Sequence, residues 1–576
     1  MSAHRDEYAQ EFPGYTGGSD ENMIKDVVVV GSGSAGMTAA IVAAQLGRDV
    51  LVVEKAAVFG GATAWSGGGT WIPNNHLMSK CGLKDSRDAA QKYLRALMGR
   101  YYDGELIDSF LDHCAEALRF LDEHSEVKFV PTPVGPDFRD DLEGWTAAGR
   151  FLTPMVFDGR ELGSHFDKLR PPLTQFNAPG GMMLSYPDAL QLMNAAKSWA
   201  ACKYSARILA RFAKDKMLYG RGTRLTMGNA LAARLLKSAL DANVELWSQA
   251  EARSLVRTNG RVTGIEVIRD GKPMTITARR GVVLASGGFC ANPAQRQAYF
   301  PYIEHHQALM PEENTGDGQR MAGNLGAALG ESNANNAVWA VISVLHHKHG
   351  PSVRVPHFFL DLPKPGCIAV NRKGQRFGNE ASLNLVRDMH RSDSVPAYLI
   401  CDRKFITKYG LGYVLPGGWR LGAMKRVGYV TQAATLRELA SRLGISPNGL
   451  EVTVTRANRF ALTGTDDDFG KGSTPQSRAM GDPLHKPNPC LGQIMHAPFY
   501  GLKIFPGDTG NTVGLKTDGR GRVRDQNDNA IPGLFACGLD SNSIWRGAEP
   551  AGGAFIGANL TFGYIIGSEL GRTVER

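Results

Sequence analysis

Residues 27–36 read Val-Val-Val-Val-Gly31-Ser32-Gly33-Ser-Ala35-Gly36, an unbroken apolar run that ends in three glycines spaced two and three apart. A strand this apolar is buried on both faces, as strands are in a parallel sheet. The three glycines have separate tasks. Gly31 turns the chain tightly, Gly33 lets a pyrophosphate approach the backbone, and Gly36 allows the next helix to pack closely on the strand. A helix N-terminus facing such a turn favours an anion. The Ala-rich stretch from Met37 to Leu46 reads as that helix, and Asp49 to Val53 as the next strand. Glu54 then stands where a carboxylate accepts hydrogen bonds from a ribose hydroxyl. The whole is one βαβ unit built to hold a dinucleotide.

A second sequence of this kind lies at the far end of the 576 residues: Gly533-Leu-Phe-Ala-Cys-Gly538, leading into Gly552, Gly553 and Gly557. One nucleotide site assembled from distant segments implies a large insertion, and insertions in redox folds carry the substrate. We therefore expect a first part of the cofactor unit over 24–305, an inserted catalytic unit over 306–494, and a return over 495–576. The chain has 68 glycines, and their excess falls in clusters at 31–36, 60–69, 286–288 and 552–557. Clustered glycine means backbone held close to a ligand or at positive φ.

Other features bound the class. The net charge of +9 is modest for this length. Its densest basic stretch, Lys203 to Arg224, carries Tyr, Leu and Ala at helical intervals and reads as a solvated helix face, with no nucleic-acid partner. Eight scattered cysteines without a Cys-x-x-Cys pair suit a reducing compartment and provide no metal site. The first 23 residues are polar, and no apolar run approaches the ~18 residues of a membrane span, so we expect a cytoplasmic protein without an integral membrane segment. Helical periodicity runs over 86–123, and a Pro- and Gly-rich stretch at 130–180 reads as surface loop. A helix follows near 222–240, a strand at 243–247, and a hairpin 254–258/262–268 turning on Asn259-Gly260. Another buried strand opens at Gly281 and ends at Gly287-Gly288, and the last helix lies near 558–571.

Glu54-Lys55 is followed by a second glycine loop, Gly60-Gly61-Ala62-Thr63-Ala64-Trp65-Ser66-Gly67-Gly68-Gly69. From here the chain resembles the flavoprotein family of fumarate reductase, succinate dehydrogenase and the 3-ketosteroid dehydrogenases. Ser66-Gly-Gly-Gly-Thr-Trp71-Ile-Pro-Asn-Asn75 is most similar to the ketosteroid Δ1-dehydrogenase branch. Leu284-Ala-Ser-Gly-Gly-Phe289, Asn314-Thr-Gly-Asp317-Gly318, Gly374-Gln-Arg-Phe-Gly-Asn379-Glu380 and Ile556-Gly-Ala-Asn559-Leu560-Thr-Phe-Gly-Tyr564 extend the likeness in order along the chain. The resemblance implies an α/β (α+β) fold, with a Rossmann-like FAD-binding domain formed by both chain ends and an inserted catalytic domain. It places FAD against Gly31, Ser32, Gly33, Ala35, Gly36, Glu54 and Lys55. The second loop adds Gly61, Ala62, Thr63, Ser66, Gly67, Gly68 and Gly69. Ala252, Gly287, Asn314, Asp317, Gly538, Gly553, Asn559 and Leu560 complete the set. Family members that bind FAD covalently use a histidine in the second loop. Residues 56–75 contain none, which implies non-covalent FAD.

The family's chemistry exchanges a hydride with one carbon of a C–C bond while a base takes a proton from its neighbour, acidified by an adjacent carbonyl. Ketosteroid dehydrogenases use tyrosines and a glycine N–H for this. Here Gly553 keeps the glycine position, but the three tyrosine positions hold Glu549, Asn384 and Phe138. Glu549 is a candidate proton acceptor or, once protonated, a donor, and its alternative is an ion pair with Arg546. The fumarate-reducing branch uses an arginine, for which Arg387 is the candidate. His305, His306, His346, His347 and His357 are chemically able acid–bases that no spacing singles out. Tyr500 reads as packing, and Trp145, Trp339, Phe358, Phe359 and Trp419 supply aromatic surface for an apolar ligand. The expected protein is an FAD-dependent dehydrogenase of a cyclic ketone or steroid with an external electron acceptor or donor. The alternatives are an enoate or dicarboxylate reductase, and a flavoprotein that has lost catalysis and serves a binding role.

Overall fold

The structure is a computed structural model, described for residues 23–572 except 133–134, 302–304, 331–332, 348–349, 351, 358–360 and 383. The valine run forms the strand Met23–Val30, with Val27 to Val30 buried. The strand Val50–Glu54 lies parallel to it, Val27 opposite Val50 and Val30 opposite Val53. These two are the middle of an eight-stranded sheet, ordered Arg522–Arg524, Ala530–Ala536, Lys272–Leu284, Met23–Val30, Val50–Glu54 and Glu245–Ser248. The strand Ala530–Ala536 joins it parallel to Lys272–Leu284, with Leu534 opposite Val282. The two chain ends thus share one sheet by hydrogen bonding. Ala250–Thr258 and Arg261–Arg269 extend it as an antiparallel hairpin. Asn259 sits at φ +49° and Gly260 at +81°, as a type I′ turn needs at both positions.

The first helix, Ser34–Gln45, is buried from Ser34 to Ala43. It is enclosed by the sheet on one side and the closing helix Ala554–Gly571 on the other. Glycine makes that crossing close. A Cβ on Gly563 would lie 2.6 Å from the Ala35 carbonyl oxygen, and one on Gly567 2.7 Å from that of Ala39. Each helix turn without a side chain therefore lets one backbone rest on the other.

The second sheet has seven strands. Its main path runs Val353–Pro356, Ala337–Leu345, Phe499–Asn511, Ala397–Asp402 and Cys367–Val370, with Gln307–Ala308 and Thr431–Ala433 pairing to Phe499–Asn511. That central strand carries the inserted unit's hydrogen bonding past residue 494, and we propose residue 512 as the point of return to the cofactor unit. The segment 130–180 differs from a loop lying over the surface. Its Asp137 and Arg150 are fully buried, with Arg150 bridging Asp85 and Asp137 at 2.6 Å each. A cluster of buried charges, invisible to periodicity, holds irregular backbone inside the molecule.

Candidate active site

Where the two chain ends meet, a cleft opens. Gly31, Ser32, Gly33 and Ala35 line it at the N-terminus of the first helix. Glu54 and Lys55 line it at the second strand end, and Gly61, Ala62 and Thr63 in the second glycine loop. Ala252, Gly287, Asn314, Asp317, Gly538 and Asn559 close it. The first three glycines differ in what surrounds them. A Cβ on Gly31 (φ +106°) would sit 2.2 Å from the Ala285 oxygen, and one on Gly36 2.3 Å from the Gly31 oxygen. One on Gly33 would meet only Thr63 Oγ1 at 3.9 Å. Gly31 and Gly36 are therefore required by protein packing, whereas Gly33 leaves open a cradle facing the cleft.

The polar groups fit a dinucleotide. Glu54 accepts the Ser32 N–H at 3.1 Å and the Ser32 hydroxyl at 2.6 Å through one oxygen, and the Ala56 N–H at 2.9 Å through the other. A carboxylate offers about four acceptor positions, so one stays available for a ribose hydroxyl. The Ser34 N–H donates to Thr63 Oγ1 at 3.0 Å, and Asn559 Nδ2 reaches Ser34 Oγ at 3.1 Å. These two bonds tie both glycine loops to the closing helix. Lys55 donates to Thr315 Oγ1 and Asp317 Oδ2 at 2.7 Å each. Burial works to raise the Asp317 carboxyl, and the Lys55 hydrogen bond holds it below its usual range.

Sequence reasoning missed Arg170, Glu251, Ser286, Met310, Glu313 and Leu539 on the same cleft. Glu251, Ser286, Glu313 and Leu539 directly adjoin recognised residues, so adjacency was the available signal. Arg170, paired with Glu313 at 3.1 Å, comes from a Pro-rich stretch without any. Asp540, buried behind the cleft, accepts the Ser286 and Gly288 N–H groups at 2.5 and 3.2 Å and shapes the turn at 286–288.

Gly36, Ser66, Gly67, Gly68, Gly69, Gly553 and Leu560 do not line this cleft. Leu560 is core. The end of the second glycine loop forms a separate wall. Gly69 faces the Phe151 ring, and Gly553 (φ +81°) presses on Gly69 so closely that a Cβ would lie 2.5 Å from its carbonyl. The Trp71 N–H donates to the Gly553 oxygen at 3.1 Å. Gly553 heads the closing helix, and among the described residues its N–H donates to no partner. It is therefore a free donor at a helix N-terminus.

Four residues before Gly553 stands Glu549. Burial pushes its carboxyl up to about 7, against the pull of the Arg387 guanidinium. Arg387, on the helix Leu385–Arg391, also donates to Asn384 Oδ1 at 3.1 Å. The Pro550 oxygen accepts the Phe138 N–H at 2.9 Å and the Tyr93 hydroxyl at 2.7 Å. Phe138 is thus bonded to the loop that carries Glu549, while the helix that Asn384 heads acts on that carboxyl through the Arg387 charge. Arg546 pairs instead with Asp103 at 2.8 Å, and among the described residues no ion pair links it to Glu549. Beside Phe138, Asp137 accepts the Trp71 indole N–H at 2.8 Å. Burial raises its carboxyl to about 6 despite Arg150.

The histidines divide. His305, His346 and His347 are exposed. His306 and His390 share a hydrogen bond at 3.0 Å beneath Trp339, and burial lowers them to about 3 and 4. His357 bridges Asp361 at 2.6 Å and Ser343 at 2.7 Å inside the second core. Tyr500 is buried in that core and Trp145 packs against the first, while Trp419 is exposed. Phe358 and Phe359 lie outside the described residues. Among the described residues no helix is long and apolar enough to cross a membrane.

Comparison with known proteins agrees with this geometry. A family model described as an FAD binding domain matches residues 26–556. The chain is 36% identical to 4-oxocyclohex-2-ene-1-carboxylate 5-dehydrogenase of Sinomonas cyclohexanicum, over 95% of this chain and 94% of that one. It is also 36% identical to 3-oxosteroid 1-dehydrogenase of Mycolicibacterium smegmatis, over 95% and 97%. A solved structure of 3-ketosteroid Δ1-dehydrogenase from Sterolibacterium denitrificans, in complex with 1,4-androstadiene-3,17-dione, superposes with a TM-score of 0.88 at 35% identity, covering 95% of this chain and 99% of that one. The chain therefore belongs to the FAD-binding family of these dehydrogenases and is an FAD-dependent oxidoreductase acting on a C–C bond next to a carbonyl.

Proposed function

We propose that this protein dehydrogenates a cyclic, largely apolar ketone, with Glu549 as the proton acceptor and with Gly553 and Arg387 as donors to the carbonyl oxygen. The observation that carries the reading is a partly buried carboxyl held near 7 in the same loop as a free helix-terminal N–H. A base is most effective when it titrates near the working pH, and Glu549 does. Partial burial raises the carboxylate's affinity for the proton and makes it the stronger base. The Gly553 N–H, at the positive end of an 18-residue helix, suits an oxygen that gains negative charge as the proton leaves. Arg387, whose charge already acts on Glu549, supports the same developing charge.

The cleft residues hold FAD in this reading. The first helix N-terminus and the Gly33 cradle receive the pyrophosphate, and Glu54 the ribose. Bound FAD supplies the hydride acceptor for the carbon next to the one Glu549 deprotonates. Lys55 and Asp317 hold the cleft wall, and the absence of histidine in residues 56–75 supports a non-covalent cofactor. An external electron carrier completes the turnover.

The decisive experiment is anaerobic titration of the yellow holoprotein with a 3-oxosteroid, a 4-oxocyclohexanecarboxylate and an unsubstituted cyclic ketone. Loss of the oxidised-flavin absorbance with at least one is expected, and its persistence with all three overturns the reading. Arg387 favours one second reading, reduction of an enoate or dicarboxylate. Reoxidation of chemically reduced flavin by fumarate, but by no cyclic enone, would select it.

A further inference from the structure

Glu549 follows directly on a tight turn that a distant segment grips. The turn 545–548 closes with the Ala548 N–H on the Trp545 oxygen at 2.8 Å, and its central residues, Arg546 and Gly547, stand at φ +50° and +77°. A type I′ turn needs positive φ at both positions, a region where a residue with a side chain is uncommon. Arg546 is held there from two sides. Its oxygen accepts the Ala334 N–H at 2.6 Å, and its guanidinium pairs with Asp103 at 2.8 Å. The neighbouring Asn335 donates through Nδ2 to the Gly547 oxygen at 2.7 Å. A Cβ on Gly547 would lie 2.2 Å from the Asn335 oxygen, so only glycine permits this approach.

The other end of the Asn335 amide faces the inserted unit. Its Oδ1 accepts the Trp339 indole N–H at 3.2 Å. The Trp339 ring meets His390 edge-on, with centroids 5.7 Å apart. His390 lies three residues past Arg387 on the helix Leu385–Arg391, nearly one turn away. The Arg387 charge acts on Glu549, and Glu549 stands two residues past Gly547. These contacts close a ring that leaves Glu549 through Arg387 and returns to it through Gly547. Within that ring, one planar amide of fixed length ties the turn to Trp339.

We infer that Asn335 is a positioning residue that keeps the Glu549 carboxyl in register with the Arg387 guanidinium. Its meaning for turnover rests on the reading of Glu549 as the proton acceptor. The other charged and titratable groups around the loop are engaged elsewhere. Arg546 pairs with Asp103, Arg150 with Asp85 and Asp137, and the Tyr93 hydroxyl donates to the Pro550 oxygen. Burial lowers His390 to about 4, so it is uncharged near neutral pH. Arg387 is therefore the charge through which a displaced turn would be felt at Glu549.

The test reads Glu549 itself. Infrared difference spectra of the FAD-loaded full chain are taken across pH, and the protonated-carboxyl band that Glu549→Gln removes is followed. In wild type it is expected to titrate at about 7. In Asn335→Ala the Gly547 oxygen loses its donor and the carboxyl drifts from Arg387, so the midpoint should rise by about half a unit or more. Trp339→Phe opens the same ring at the next joint while keeping an aromatic ring, and should raise it by less. Asn335→Ala combined with Arg387→Met should titrate where Arg387→Met does, because both remove one interaction. A purely structural joint would lower the melting temperature and leave the midpoint in place. An unmoved midpoint in both single variants, or additive shifts in the double one, overturns the inference. A midpoint that moves while the pH dependence of kcat/KM stays put upholds the inference and removes Glu549 as the proton acceptor.

Discussion

The cleft at 31–63 and the loop at 549–553, which we propose to hold the cofactor and the substrate, are made of different material. The cleft at 31–63 is mostly backbone: glycines, a helix terminus and two strand ends, with side chains that chiefly bond one another. The loop at 549–553 depends on a carboxyl held near 7 by burial and on neighbours from segments 138, 384 and 387. Backbone sites tolerate few sequences, because glycines such as Gly31 and Gly36 are required by sterics. Side-chain sites tolerate many, because a carboxylate, a phenol or a guanidinium can each move a proton or bind an oxygen. A family can therefore keep the first end fixed while the second changes its chemistry.

The largest expected effect tests the fixed end. In Gly31→Ala the new methyl would meet the Ala285 oxygen at 2.2 Å at a φ of +106°, so backbone must shift. We expect FAD retention to fall by roughly 10³-fold or more, a penalty of about 4 kcal/mol, read from the flavin-to-protein absorbance ratio after gel filtration. Gly33→Ala sharpens the point. Its methyl meets no protein atom closer than 3.9 Å, so the apoprotein should melt like wild type and still fail to take up FAD. If Gly33→Ala holds FAD normally, the cradle is not the pyrophosphate site.

Glu549→Gln comes next and tests the variable end alone. Removing a general base costs roughly 10²–10⁴-fold. Flavin reduction by substrate should slow by that factor, with FAD content unchanged. In wild type kcat/KM should rise with pH through about 7, and the variant should lose that limb. A loss below about threefold, under ~0.7 kcal/mol, removes Glu549 from the reaction. Arg387→Met should do less: about threefold to tenfold in kcat/KM, alike for a keto acid and an uncharged steroid, as for one lost charge-assisted hydrogen bond to the carbonyl oxygen. A loss confined to the keto acid would assign Arg387 to the substrate carboxylate instead.

This contrast also explains what was legible in the sequence. The first strand, helix and glycine turn could be read residue by residue, because their periodicity and their glycines are local signals. The sheet joining Ala530–Ala536 to Lys272–Leu284 followed once two glycine motifs were seen to need one site. The boundary at 494 was harder: Phe499–Asn511 has no motif, and only its partners, Ala337–Leu345 and Ala397–Asp402, give it a sheet. The buried Asp85–Arg150–Asp137 cluster left no trace, since a charged residue in a Pro-rich stretch reads as exposed. Glu549 was found through its place in a resemblance, and its altered acidity is a property of burial that no local pattern encodes.

The smallest expected effect concerns stability. Glu549 titrates near 4.5 when unfolded and at about 7 when folded. Below 4.5 both states hold the proton and the group is neutral toward folding. Between 4.5 and 7 the unfolded chain releases its proton first, so the folded state loses stability as pH rises, and above 7 the loss is complete. A shift of this size corresponds to about 3 kcal/mol, less in so far as water reaches the partly exposed side chain. Glutamine carries no such charge. Glu549→Gln is therefore expected to melt above wild type at pH 8 by a few degrees and to converge with it near pH 4.5, in differential scanning fluorimetry of the FAD-loaded proteins. Equal melting curves at pH 8 would mean that water reaches the carboxylate, and the substrate end would then lack the dry base on which its chemistry depends.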